Sequence, residues 1–371
     1  MQLSTPNRSY KTWKLAGYAL SAVLLLVVLV IGVSFFERWP IENTTLAIDW
    51  QSIWPGLHAR QYMLGLRIAP WDLLIMLPLG LFSLRTSWGI ITLFTMGVLI
   101  VSVPRRRPRW RHWVSVLLLV ISFPALRHTA DGNFEGLVIA GALLLVYGYR
   151  VQKPWILALG ILLVTAKVQE AWLLLGILAL YILTTWPVPK QIRLGAILAA
   201  VVLLCWLWIG PAWLNAMFVI SERSSIMDSS LMAGLTRAGA STLLVGICWL
   251  LVLGVTLYFC LRSQRTLNRE KAAMLIAVSL LLSPYAAGNS FLTILAIGII
   301  PTFLARPRLG LLLLVLTDLP FFLPHDFMYW NSAYYWTGML LLVWAIWLWQ
   351  IYRIQAQSPV VDKPLLVPVD N

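Results

Sequence analysis

Long apolar runs without a single charged side chain dictate what this chain can become: residues 19–33, 243–260 and 309–316 contain no Asp, Glu, Lys or Arg. Inside a bilayer a segment must satisfy its own backbone N–H and C=O groups, which a helix does and an isolated strand does not. A closed barrel would show short strands with alternating apolar and polar residues, and these runs are continuous instead. The overall balance agrees, because 60% hydrophobic and 11% charged residues make the chain too apolar for a soluble globule. The expected class is an all-α polytopic integral membrane protein. Cys205, Cys248 and Cys260 all lie within apolar runs and read as packing residues, not as a disulfide framework or metal set.

The net charge of +14 reads as a topology signal and not as a nucleic-acid surface. Spans are expected at 15–34, 87–103, 112–126, 134–149, 154–166, 171–186, 194–213, 242–261, 272–286, 291–305, 309–324 and 336–352, a bundle of about twelve transmembrane helices. With the first residues in the cytoplasm, the basic clusters Arg105-Arg106-Arg107, Arg150/Lys153, Lys190/Arg193 and Arg262/Arg265/Arg269/Lys271 all fall on the cytoplasmic side, as the positive-inside rule requires. Most of the acids then face outward. The division is a cytoplasmic N-terminus over 1–14, a transmembrane domain over 15–353 that begins with an uncleaved helix, and a disordered cytoplasmic tail over 354–371. The first outer loop covers 35–86. Its apolar stretch 70–84 is expected to be an interfacial helix, because counting it as a span would put the 105–111 cluster outside.

Three of the expected hairpins are too short. Two full crossings need roughly 40 residues of helix, and fewer than that separate Arg111 from Arg150, Lys153 from Lys190 and Lys271 from Arg306. Their outer tips should therefore sit below the membrane surface. The tips are polar: Arg127-His128-Thr129-Ala130-Asp131-Gly132-Asn133-Phe134-Glu135, then Lys167-Val168-Gln169-Glu170, then Ser283-Pro284-Tyr285-Ala286-Ala287-Gly288-Asn289-Ser290. Charge at that depth is costly unless it lines a wet cavity or is paired. An outward-facing polar cavity floored by the three tips is one reading. Local ion pairs, Arg127 with Asp131 and Lys167 with Glu170, are the other.

Asp49 stands in the first polar stretch after the first helix, in a chain that otherwise avoids carboxylates. Placed over such a cavity it is a candidate catalytic base; the plainer alternative is a helix cap or a partner for an arginine. A lipid-linked sugar phosphate brings an anionic leaving group that needs Arg or Lys, while a carboxylate takes the proton of an acceptor hydroxyl. Candidate phosphate partners are Lys167, Arg127, Arg60 and Arg67.

The order of these features resembles the polyprenyl-phosphate-sugar-dependent glycosyltransferases of the GT-C superfold, and within them the alpha-mannosyltransferase-like proteins of glycosyltransferase family 87. Five stretches carry it: Asp49-Trp50-x-x-Ile53-Trp54; Ala69-Pro70-Trp71-Asp72-Leu73 running into Leu77-Pro78-Leu79-Gly80; Asp131-Gly132-Asn133-Phe134-Glu135; Ala166-Lys167-Val168-Gln169-Glu170; and Ser283-Pro284-Tyr285. The resemblance implies a GT-C-like bundle in a bacterial cell membrane that moves a hexose or pentose from a polyprenyl phosphate to a lipid or glycan hydroxyl. It assigns the base to Asp49, with Asp72 as the fallback carboxylate. Substrate contacts are expected from His128, Asp131, Asn133, Glu135, Gln169, Glu170, Tyr285 and Asn289. The chain departs from the family pattern at Asn133, Glu135 and Val168, where Gln, Asn and Pro are usual, which bears on donor or acceptor preference.

No cofactor is expected. The four histidines, His58, His112, His128 and His325, show no metal-ligand spacing, so a divalent ion has no support, and no Gly-rich loop is present for a nucleotide donor. The segment 215–241 is long enough to cover a cavity or to be a passive connector. The aromatic stretch from His325 to Trp336 suits sugar stacking or an interfacial belt. A non-catalytic subunit that binds lipid-linked glycan or a partner protein is the alternative function. A transporter or flippase fits less well, because the sequence shows no internal repeat.

Overall fold

The computed structural model describes residues 8–42, 44–60, 68–209, 228–286 and 288–357. Every regular element among them is a helix, and the protein is a multi-pass membrane protein by the length and apolarity of those helices. Six helical stretches are long and apolar enough to cross: Tyr18–Glu37, Leu84–Ser102, Pro154–Thr185, Val188–Trp208, Thr242–Arg262 and Gly288–Ala305. A seventh arises if Arg109–Val120 and Phe123–Asp131, bent by 47° against each other, form one broken span. The bend has a local cause. Ser122 caps the second segment by accepting from the Ala125 N–H, and Pro124 enters its first turn, where a missing N–H does no harm.

Pro154–Thr185 is not one rod. Its start follows directly on the helix Glu135–Val151, and its end returns to the same place, with Thr185 Oγ1 3.1 Å from Tyr149 Oη. The reversal lies at Thr165–Lys167, where Lys167 leaves helical geometry at φ −128° and ψ 84°. The outgoing helix Pro154–Val164 runs along Glu135–Val151 at near backbone contact: a Cβ on Gly141 would lie 2.4 Å from the Val164 nitrogen. Small residues let helices approach this closely in lipid. Eleven residues make a helix of about 16 Å, roughly half the hydrocarbon thickness. The shortness of this hairpin thus falls on its outgoing arm, since Val168–Thr185 has 18 residues.

Arg269–Leu282 is the central helix. Every residue from Lys271 to Leu282 is buried, and it packs against Val168–Thr185 and His325–Gln357. Beyond it, the segment Phe291–Ala305 widens into a π turn at Leu295–Ile299. There Trp347 lies where a Gly298 side chain would go, 2.3 Å from the position of its Cβ. Tyr18–Glu37 is the opposite case, with none of its apolar window buried, as expected of a helix facing lipid.

Candidate functional site

The first outer loop is anchored to the tip of Phe123–Asp131 by backbone contact. Gly132 closes that helix in the left-handed region at φ 68°, and a Cβ there would come within 2.8 Å of Ala47 Cα and 2.9 Å of Trp50 Cβ. The Ala47 N–H donates to the Ala130 carbonyl at 2.6 Å. Trp50 is fully buried and donates from Nε1 to Ser87 Oγ at 2.9 Å. Ile48–Ala59 is thereby docked with its first turn over the 131–134 turn. We expect Gly132→Val, strained at its own φ and clashing with Ala47 and Trp50, to detach that turn; backbone hydrogen exchange over residues 47–50 should speed up sharply while the thermal midpoint in detergent drops by only a few degrees.

This docking brings Asp49 to Asn133. Asn133 Nδ2 donates to Asp49 Oδ2 at 2.8 Å, and Asn133 Oδ1 accepts from the Phe134 N–H at 2.7 Å. The second contact fixes which end of the amide meets the carboxylate. A cavity of about 340 Å³ opens beside the pair. Of the residues singled out by sequence, Asp49, Asn133, Lys167, Gln169, Tyr285 and Asn289 line it. The three polar tips and the first loop, far apart in the chain, therefore meet in one place. Ser52 and Ile53, one turn along the helix from Asp49, line it too, as do Phe134 and Ile68. Helical spacing from Asp49 could have flagged the first two.

A charge cluster runs from the cavity wall, at Lys167, into the buried interior behind it. Lys167 Nζ is 2.5 Å from Glu135 Oε2 and 3.5 Å from Glu170 Oε1, and both acids are fully buried. Thr293 donates to Glu135 Oε1 at 2.7 Å, and the ammonium also lies 5.7 Å from the centre of the Phe134 ring, a cation–π contact. His128 is buried, with neither ring nitrogen bonded among the described residues. Arg127 Nε donates to Asp131 Oδ2 at 2.9 Å from a half-exposed side chain. The local pairs read from the sequence are both present, but the tighter partner of Lys167 is Glu135. Burial pushes the Asp49 carboxyl above its ordinary value; the Lys167 charge pulls it back and Asp131 pushes it further up.

Other candidates lie elsewhere. Arg60 is exposed at the far end of Ile48–Ala59, away from Asp49, and Arg67 is outside the described residues. Asp72 is fully buried and does not line the cavity. Its helix Pro70–Met76 packs against Val188–Ile209 and Pro154–Val164, and neither carboxyl oxygen is bonded among the described residues. Burial pushes its pKa to about 9, so it holds a proton at neutral pH. Asp72→Asn should accordingly leave the thermal midpoint at neutral pH near wild type, because an amide replaces an uncharged carboxyl; thermal unfolding in detergent reads this directly.

Residues 215–227 of the 215–241 segment are outside the described residues, and the part that follows is fixed to the third tip. Asp228 Oδ1 accepts from the Ala286 N–H at 2.9 Å, and the Ser229 N–H donates to the Ala286 carbonyl at 2.7 Å. In the late aromatic stretch the side chains of His325, Tyr329 and Trp330 are outside the described residues, while Trp336 is buried against Phe291 and Phe123. Among the described residues no group of three His, Cys, Asp or Glu is placed to hold a metal ion.

The sequence model of glycosyltransferase family 87 matches residues 69–284. The match takes in the tips 127–135 and 167–170 and ends at Pro284, and it begins after Asp49. No curated protein and no solved structure matches the chain.

Proposed function

The chain belongs to glycosyltransferase family 87, and on that premise we propose that this membrane glycosyltransferase moves a sugar from a polyprenyl phosphate to a hydroxyl acceptor by inverting displacement, with Asp49 as the base. The observation that carries this is the Asp49 carboxylate itself. It faces the cavity, one oxygen is held by Asn133, and the other has no hydrogen bond among the described residues. In the reaction an acceptor hydroxyl enters beside that free oxygen and gives up its proton to it. The hydroxyl oxygen attacks the anomeric carbon as the bond from that carbon to the phosphate oxygen breaks, and the lipid phosphate leaves with the electron pair.

The environment suits the step. A general base must be ionised yet basic enough to take a proton, and burial raises the basicity of Asp49 while Lys167 keeps the anion accessible. Arg127 is the cation we assign to the leaving phosphate: its side chain is half exposed and close enough to act on Asp49 electrostatically. A lipid-borne donor is supported by a cavity set among short membrane helices, and by the lack of a nucleotide loop in the sequence.

For topology we propose about twelve crossings, both termini cytoplasmic, with Pro70–Leu81 lying in the outer interface. This is supported by the reversal at Thr165–Lys167 and by the clustering of all three polar tips at one end of the bundle. The test is donor turnover by purified protein in lipid nanodiscs, with a panel of polyprenyl-phosphate hexoses and pentoses and a bacterial lipid and glycan extract as acceptor. One donor should be consumed with release of polyprenyl phosphate. Turnover of none would overturn the reading.

A further inference from the structure

The cavity has the shape of a sugar site and the charge of one that repels anions. Its volume of about 340 Å³ is at the small end for ligand pockets, room for one ring and an incoming hydroxyl. Its lining offers the amides of Asn133, Gln169 and Asn289 and the rings of Phe134 and Tyr285. Amides exchange hydrogen bonds with hydroxyls, and rings cover the apolar face of a sugar. Asn289 Oδ1 is buried with no partner among the described residues, an acceptor placed for a hydroxyl donor.

Among the described residues, what is missing is spare positive charge. The described cations around the floor are Lys167 and Arg127, and against them stand Asp49, Asp131, Glu135 and Glu170. Whether Glu170 is ionised or holds a proton, the sum over these described residues does not become positive. Two helices begin at the floor, Glu135–Val151 and Val168–Thr185, and helix N-termini ordinarily attract anions. Each carries its own carboxylate in its first turn, Glu135 and Glu170 respectively, so that attraction is already satisfied. Glu135 is central to both effects. It is fully buried, held by Thr293, and pairs with Lys167 in the cavity wall.

We propose that this cavity holds the sugar of the donor and not its phosphate, and that Glu135 sets it to accept neutral and amino sugars and to refuse sugars that bear a carboxylate. The proposal rests on the transferase reading above. Glu135 acts here as a positioning residue: it does not touch the sugar but cancels the Lys167 charge. A buried anion acts across a few ångströms of low-dielectric interior, so its effect appears as selectivity between sugars.

The experiment measures retention of polyprenyl-phosphate glucose, glucosamine and glucuronate by the protein in nanodiscs, using native mass spectrometry, with turnover of the same three donors in parallel. Wild type should bind the glucuronate donor about tenfold or more weaker than the glucose donor, with the glucosamine donor at least equal to glucose. Glu135→Gln should narrow the glucose-to-glucuronate gap while keeping glucose binding. Equal binding of glucose and glucuronate donors by wild type overturns the proposal without any variant, as does an unchanged gap in folded Glu135→Gln. The two readings separate cleanly. Selective binding without turnover of any donor removes the transferase mechanism and leaves the cavity assignment standing, whereas equal turnover of glucose and glucuronate donors keeps the enzyme and removes the selectivity. Binding of no donor removes both.

Discussion

Asp49→Asn should lower the transfer rate by about 10²- to 10⁴-fold, the usual contribution of a positioned general base, with little change in donor affinity or thermal midpoint. The substitution keeps the size of the side chain and leaves the docking contacts of Ala47, Trp50 and Gly132 untouched. What it removes is the oxygen pair that receives the hydroxyl proton. The loss should fall on kcat and not on KM, because the proton moves only in the transition state. The pH profile gives an independent check. Asp49 works when ionised, so activity falls as pH drops through its pKa, and burial places that acidic limb above the range of an exposed aspartate. Asn133→Ala removes a hydrogen bond that favours the anion and should move the limb to higher pH. Equal kcat in wild type and Asp49→Asn would exclude Asp49 as the base, and a limb unmoved in Asn133→Ala would show that the pair does not tune it.

The class of the fold was legible because lipid leaves so few options. Uninterrupted apolar runs have one backbone solution, the helix. The hairpin at Thr165–Lys167 followed from counting residues between basic clusters, since a helix has a fixed rise. The edges were less legible. The last helix, expected at 336–352, begins at His325, because aromatic and polar residues at an interface lower the apolarity of a window without disfavouring helix.

The site divided along the same line between local and non-local information. The tips were visible as polar residues at a forbidden depth, and Asp49 as a carboxylate where few occur. Spacing within a helix suggested Lys167 with Glu170, three residues apart. The closer partner, Glu135, sits on another helix, and only the packing of Glu135–Val151 against the Pro154–Thr185 hairpin reveals it. Asp72 illustrates the converse. Its sequence neighbours made it a candidate second base, but it does not line the cavity, and its complete burial depends on packing against Val188–Ile209, more than a hundred residues later.

The largest effect on stability should come from Lys167→Met. Removing one member of a buried ion pair costs about 3–5 kcal/mol, because the charge left behind has neither water nor a partner. Here two acids are left behind, Glu135 and Glu170, both fully buried. Glu135 would keep the Thr293 hydroxyl at 2.7 Å and its contact with Glu170, neither of which supplies a positive charge. Glu135→Gln should cost far less, since Lys167 retains Glu170 at 3.5 Å and the amide still accepts from Thr293. The cost of Lys167→Met should therefore be largely recovered in Lys167→Met combined with Glu135→Gln and Glu170→Gln, because the cluster is then uncharged and still hydrogen-bonded. Thermal unfolding in detergent, followed through tryptophan emission, measures all four proteins. A triple variant no more stable than the single one would show that Lys167 contributes by packing against Phe134 and not by neutralising the acids. Recovery of the fold with altered sugar selectivity would separate the two roles of the cluster, one in holding the short hairpins together at depth and one in keeping the cavity free of positive charge.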